Sequence, residues 1–355
     1  MNRPILATLS LFALVSGAVP AGAAITRQAS EKVVPAAGVR SIRVENRRGS
    51  IDIQPGAPGR IRIVAVKEIL AGTSAERRRF DDETQVTSGI ENGTLVVRVT
   101  YPASISVRLN FFDLFNGFEL PRCDVRLTIE VPPSLDVTLR SSSGDLSTQG
   151  IAGSQSLESS SGDIEVQGAS GSLVTVSSSG DVTAHDIARG RLRSSSGDLK
   201  IVNPRGPLDL HASSGDIEVR GAADSVAALT SSGDVEVDAA PRGALVETQS
   251  GRIRVMGASG GVRLQSSSGD IEVGLAPPLA RIELGTSSGE VTARFAGTPG
   301  LALDLGTSGG SIEAEMPLKI RTANRHELTG TVGDGRTPLR VRTSSGDIHL
   351  SGGGR

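Results

Sequence analysis

Short runs in which aliphatic and polar residues alternate recur through most of the chain. In Ile164-Glu165-Val166, Ile217-Glu218-Val219, Val235-Glu236-Val237, Ile253-Arg254-Val255 and Ile271-Glu272-Val273 the aliphatics are two apart, the period of a half-buried strand. A second alternating pair comes earlier in the same repeats, as Leu208/Leu210, Val262/Leu264, Ile282/Leu284 and Leu303/Leu305. Between the two pairs lies a Ser/Thr-rich run, a glycine and usually an acid. Those glycines are Gly144, Gly162, Gly180, Gly197, Gly215, Gly233, Gly251, Gly269, Gly289, Gly310 and Gly346. Their spacings are 18, 18, 17, 18, 18, 18, 18, 20, 21 and 36, and the last reads as two turns of 18. A fixed period with strand-like content is the pattern of a chain that coils on itself.

Two strands in such a short repeat leave no room for a crossover helix. The expected fold is all-β, a parallel β-solenoid (β-helix) with about 18 residues per turn, each turn pairing with the next at about 4.8 Å. The hand expected from the general crossover rule is right. Glycine suits a bend needing positive φ or a close backbone approach. The neighbouring Ser and Asp can bond local amides, and in register the serines would form hydroxyl ladders.

The segment before Ser141 is strand-rich and less regular. Ser41–Val44, Ile51–Ile53, Ile61–Ile63 and Leu95–Val99 alternate or nearly so, and Gly49-Ser50-Ile51-Asp52-Ile53 reads as a first copy of the later phrase. Residues Ser74 to Asp82 predict a short helix capped by Thr73 or Ser74. Asn92-Gly93 before Thr94–Val99 is a hairpin signal. One patch stands apart: Phe111, Phe112, Phe115 and Phe118 are four of the seven phenylalanines. It reads as a plug over the open end of the coil or as a contact loop for a partner.

Met1-Asn2-Arg3, the apolar run Ile5 to Val15 and Ala21-Gly22-Ala23 make up a secretory leader with a cleavage site. The expected organisation is a signal peptide over 1–23, a start and cap over 24–140, and solenoid repeats over 141–355. The mature protein is expected outside the cytoplasm, periplasmic or extracellular at the cell surface, with no transmembrane segment after cleavage. A single cysteine, Cys123, excludes an internal disulfide and reads as a buried thiol. A net charge of −2 gives no basic footprint for nucleic acid. With no Trp and one Tyr, stacking platforms for sugars are scarce.

Candidate chemistry is sparse. Gly306-Thr307-Ser308-Gly309-Gly310 and Gly285-Thr286-Ser287-Ser288-Gly289 fit G-x-S-x-G, yet no helix is expected after either, as a nucleophile elbow requires. His185, His211, His326 and His349 lack metal-ligand spacing and read as solvent-facing. Asp145, Asp163, Asp181, Asp198, Asp216, Asp234, Asp270, Glu290 and Asp347 occupy one repeat position, broken by Arg252 and Ser311. Stacked in register, such a column caps turns or recruits cations such as Ca²⁺. Capping is the expectation; no catalytic residue, cofactor or metal site is assigned.

The phrases Arg140-Ser141-Ser142-Ser143-Gly144-Asp145-Leu146 and Thr343-Ser344-Ser345-Gly346-Asp347-Ile348 resemble the bacterial "putative adhesin" family of unknown function with β-strand repeats. Val131-Pro132-Pro133 and Gly330-Thr331-Val332-Gly333-Asp334-Gly335 add to the likeness. This family is related to auto-transporter adhesin head domains. The resemblance covers roughly Val33 to Leu350 and implies a β-solenoid at the cell envelope, with no catalytic residues. The function expected is therefore non-enzymatic and adhesin-like, or structural, with an envelope or surface ligand (protein or glycan) met by outer residues such as Glu165, Arg220, Glu272 and Arg254. The alternatives are a polysaccharide-active β-helix enzyme and a periplasmic sensor or regulator of envelope stress.

Overall fold

The computed structural model describes residues 10–11, 24–71, 73–102 and 121–352. The phenylalanine patch lies outside them, as do most of residues 1–23. Two compact units divide the chain, residues 1–165 and 166–355. Among the described residues both are all-β save for one helix.

In the first unit, Ser41–Asn46 runs parallel to Thr94–Thr100 on one side and Asp136–Ser141 on the other. Ile42 aligns with both Leu95 and Val137, and Val44 with both Val97 and Leu139. Ile51–Pro55 likewise lies between Arg122–Val131 and Leu146–Gln149. The inward aliphatics Ile42, Val44, Ile51, Ile53, Leu127 and Ile129 are fully buried, so the alternation is met by a dry core. The first copy of the repeat is thus an interior strand pair, because Thr94–Thr100 and Arg122–Val131 close its outer side. Arg60–Ala71 and Ala24–Pro35 then add antiparallel strands beyond Arg122–Val131.

Local signals in this unit are obeyed. The helix spans Ser74–Glu83; Thr73 caps it by accepting from Glu76 N–H, and the Glu76 carboxylate accepts in return from Thr73 N–H. Asn92 (φ 51°) and Gly93 (φ 82°) make the hairpin turn joining Gln85–Glu91 to Thr94–Thr100. Cys123 is a buried free thiol, packed with Ile69, Ala71 and Phe80. Burial pushes its pKa up.

The second unit has two parallel sheets. One holds the strands before the repeated glycine: Leu210 aligns with Leu192 and Ala228, and Val246 with Ala228 and Leu264. The other holds the strands after it, where Ile217, Val235, Ile253, Ile271 and Val291 form one buried row.

The final interval of 36 is not two turns. After Leu301–Gly306 and Ile312–Glu315 the chain makes the hairpin of Lys319–Ala323 and Glu327–Val332, which extends the first sheet antiparallel to Leu301–Gly306. It then returns. Thr337–Arg342 enters between the Ile282–Gly285 stretch and Leu301–Gly306, and Ile348–Gly352 between Val291–Phe295 and Ile312–Glu315. The lap that is last in sequence is next to last in space. Period alone could not show this, since any lap bearing the same inward pair packs equally well on any other.

Candidate functional site

The corners explain most of the Ser-Gly-Asp phrase. At seven of these corners a hydroxyl three residues before the glycine accepts that glycine's N–H, as Ser194 does from Gly197 at 2.9 Å, Ser266 from Gly269 at 2.9 Å and Thr343 from Gly346 at 3.2 Å. Several hydroxyls at this position also donate to the glycine carbonyl one lap away, as Ser266 does to Gly251 (3.1 Å) and Thr286 to Gly269 (2.9 Å). The hydroxyl ladder is therefore an internal tie between laps. The glycines serve close approach: a Cβ on Gly251 would overlap the Gly233 carbonyl oxygen, and one on Gly269 that of Gly251. Positive φ belongs to the opposite corner, at Asp186, Asn203, Gly221, Ala239 and Gly257.

The acid column is a capping device. Oδ1 of Asp181, Asp198, Asp216 and Asp234 accepts the backbone N–H of Asp198, Asp216, Asp234 and Arg252 at 2.8–2.9 Å. Each carboxylate thus satisfies an amide on the adjoining lap. Asp347 does the same for Ser311, whose N–H and hydroxyl hold its pKa below the ordinary value. Among the described residues there is no group of three His, Cys, Asp or Glu side chains that could hold a metal ion.

Of the outward residues singled out as contacts, Arg254 and Glu272 are occupied with each other. Arg254 pairs with Glu236 (3.7 Å) and Glu272 (3.0 Å), and Glu272 also meets Arg294. Those guanidiniums, Arg294 first, keep the Glu272 carboxyl below its usual pKa despite partial desolvation. Arg220 pairs with Glu218. Glu165 is exposed. Two histidines likewise have partners: His211 Nε2 lies 2.8 Å from Asp209, and His349 lies between Glu290 (3.6 Å) and Glu313 (3.1 Å). Burial alone would raise the Asp209 pKa, but hydrogen bonds from Arg191 and His211 bring it below the ordinary value.

The open surface lies on the outer face of the first sheet of the second unit. A groove of about 650 Å³ follows the edge between that face and the Ser-Gly corners. One wall is a column of side chains in register, Leu229, Glu247 and Gln265 among them, and the facing wall carries Ser231, Gln249, Ser267 and Ser287. Thr230, Thr248, Ser266 and Thr286 form a buried floor, fixed by their bonds to corner glycines. Ser287 of the second G-x-S-x-G match lines this groove, and the segment after it is the strand Val291–Phe295, which excludes the elbow geometry.

The column is broken at Gly285. Its neighbours in register are Gln265 and Arg342. A Cβ there would meet only Gln265 Cγ, at 4.0 Å, and the φ is not in the left-handed region. The backbone does not require glycine at this point. The bare position opens a notch of about 200 Å³ lined by Gln265, Glu283, Arg340 and Arg342. The two arginines are braced by Asp304, with Arg342 at 2.6 Å and Arg340 at 3.7 Å. Neither the notch nor Arg342 was singled out from sequence. The available signal was a glycine at an outward strand position where sister repeats carry His211, Glu247 or Gln265.

Parallel strands offset by one repeat, with glycine corners stacked lap on lap, define a solenoid-like all-β repeat protein. The chain belongs to the Toastrack DUF4097 family, whose pattern matches residues 39–245 and 240–351. No curated protein matches it. Similar solved structures include a "putative cell adhesion protein" of Clostridium sporogenes, with 9% identity over 92% of this chain and 100% of that one and a TM-score of 0.22. A "putative adhesin" of Bacteroides fragilis has 12% identity over 91% and 97%, with a TM-score of 0.27. A "putative lipid binding protein" of Parabacteroides distasonis has 14% identity over 91% and 96%, with a TM-score of 0.32. Likenesses of this size carry no weight for function, and the fold rests on the register above. Among the described residues no helix is long and apolar enough to cross a membrane.

Proposed function

We propose that this is an exported, non-enzymatic envelope protein that binds an extended polar polymer, a surface glycan by preference, along the groove of its second unit. The winding unit is a lap of about 18 residues, so like positions recur about every 4.8 Å. A chain laid across the laps meets Glu247, Gln265, the Gly285 notch and Arg342 in succession. With one Tyr and no Trp in the chain, recognition is by hydrogen bonds and charge, and weak contacts sum over several laps. Export is supported by the leader pattern in residues 1–23.

The observation that carries this reading is Gly285, a glycine that the fold does not need at a place where the wall opens. Gly285→Leu fills the notch and leaves the core untouched. Envelope polysaccharide from a bacterium carrying this family, immobilised and titrated with the purified chain, is expected to bind the parent at least ten times more tightly than Gly285→Leu or Gln265→Ala. Equal binding by all three would reject the groove as the site.

A further inference from the structure

The second unit ends in a step with charged and apolar faces. Among the described residues the outermost strand of its first sheet is Lys319–Ala323, paired only with Glu327–Val332. In its second sheet the outermost described strand is Ile312–Glu315, paired among the described residues only with Ile348–Gly352. The first sheet thus overhangs the second by two strands, roughly 10 Å at ordinary strand spacing. All five residues of Lys319–Ala323 are exposed, so this strand does not fold down over the core.

Between the two edges the chain from Ile312, which bends at Met316, carries apolar side chains at every second position. Ile312, Ala314, Met316 and Leu318 are only half-buried, and Ile320 is 59% exposed. The edge at Ile312–Glu315 also has free amides. Ile348 N–H donates to Ser311 C=O at 2.9 Å. In a parallel ladder the backbone groups of successive residues point to opposite sides, so those of Ile312 and Ala314 point out of the sheet. An exposed strand edge beside apolar surface is a template for another strand.

We infer that this end docks a second copy of the chain, closing a two-fold dimer in which each Ile312–Glu315 edge pairs with the partner's Lys319–Ala323 edge. Two arguments select this occupant. The first is charge: one edge carries Glu313 and Glu315, the other Lys319 and Arg321, with Arg325 in the adjoining turn. Among the described residues Glu315, Lys319, Arg321 and Arg325 have no ion-pair partner, while Glu313 is held by His349. The second is strand direction. Lys319–Ala323 runs with Leu301–Gly306, since two antiparallel steps separate them, while the chain turns back to form Ile312–Glu315. A two-fold axis along the strands then sets each acidic edge antiparallel to a basic one and fits each overhang into the other's recess. A two-fold axis across the strands would set acid on acid and base on base. The same charges therefore favour one closed pair.

The test is the mass in solution of the full chain, by light scattering and sedimentation over a concentration series. A dimer is expected that weakens with salt. Ala314→Pro removes an amide hydrogen that points out of the sheet, and it is expected to give monomer with unchanged circular dichroism and melting below the dimer's dissociation point. Lys319→Glu with Arg321→Glu is expected to weaken self-association at least tenfold. Adding Glu313→Lys and Glu315→Lys to that variant exchanges both edges and is expected to restore the dimer. A parent chain that stays monomeric, a dimer indifferent to the charge reversal, or a fourfold exchange that fails to restore association in a folded protein would each overturn the proposal.

Discussion

Thr343 Oγ1 donates to the Gly289 carbonyl oxygen at 3.0 Å across 54 residues of chain. This is the same tie that joins consecutive laps elsewhere, made here between laps that are not consecutive. Gly346 stacks against Gly289 in the same way, and Gly310 in turn against Gly346. At the other end of the chain Ile51 lies between Leu127 and Leu146. In each unit the terminal repeat is held one lap inside and the neighbouring lap closes over it. Neither terminal repeat can peel away as an edge strand.

Two glycines of the second unit separate packing from function. Gly346→Ala places a methyl against the Gly289 carbonyl and is expected to cost about 1–3 kcal/mol or more, as overpacking does. Gly285→Ala meets open space and is expected to change stability by less than about 0.5 kcal/mol. Urea unfolding of the two variants measures both; similar losses would contradict the assignment of close approach.

Ile217 is 1% exposed in the buried row between Leu199 and Val235. Ile217→Asp puts a carboxylate among buried aliphatics, at an expected cost of about 4 kcal/mol or more. Set against a typical stability of about 5–15 kcal/mol, that loss should lower the melting temperature sharply. An unchanged melt would mean that the row does not face inward.

Ala239 occupies the left-handed corner with φ 67°, where the adjoining laps carry Gly221 and Gly257. An L-residue pays about 1–2 kcal/mol for this conformation, against about 0.5–1 kcal/mol of extra chain entropy for glycine. Ala239→Gly is therefore expected to stabilise the protein, by up to about 1.5 kcal/mol. A lower denaturation midpoint for the variant would count against the strain.

The pH dependence follows from carboxylates whose pKa is lowered on folding: Asp347 by Ser311, Glu272 by Arg294 and Arg254, Asp209 by Arg191 and His211 against burial. A depressed acid contributes stability above its unfolded value, 3.8 for Asp and 4.5 for Glu, and loses it as pH falls through the folded value. Melting temperature is expected to be steady from about pH 5 to 7 and to fall below about pH 4. Scanning calorimetry across that range checks the sign, and a melt that rises on acidification would refute it.

Because each Asp Oδ1 of the corner column already accepts an amide of the adjoining lap, cations are not needed to hold the laps in register. Adding a chelator is expected to leave the melting temperature within about 1 °C of the parent value. A larger fall would mean that the column binds cations as well as amides.

The alternation of Ile217/Val219 and Leu208/Leu210 determined by itself that the chain is all-β, that these residues point inward, and that one short repeat must lie on the next. Thr73 with Glu76, and Asn92-Gly93, determined their cap and turn, because those interactions reach only a few residues. Tertiary structure alone decided the order of the laps. Every lap offers the same aliphatic pair and the same amides, so its neighbour is chosen by closure of the ends, which no local pattern records. It also decided what the repeated glycine is for, since close approach to Gly233 or Gly289 belongs to a stacked lap and not to the turn itself. The groove was invisible for the same reason. Gln265, Gly285 and Arg342 become neighbours only when 337–342 returns to lie beside 282–285, and only there does a missing side chain become a notch.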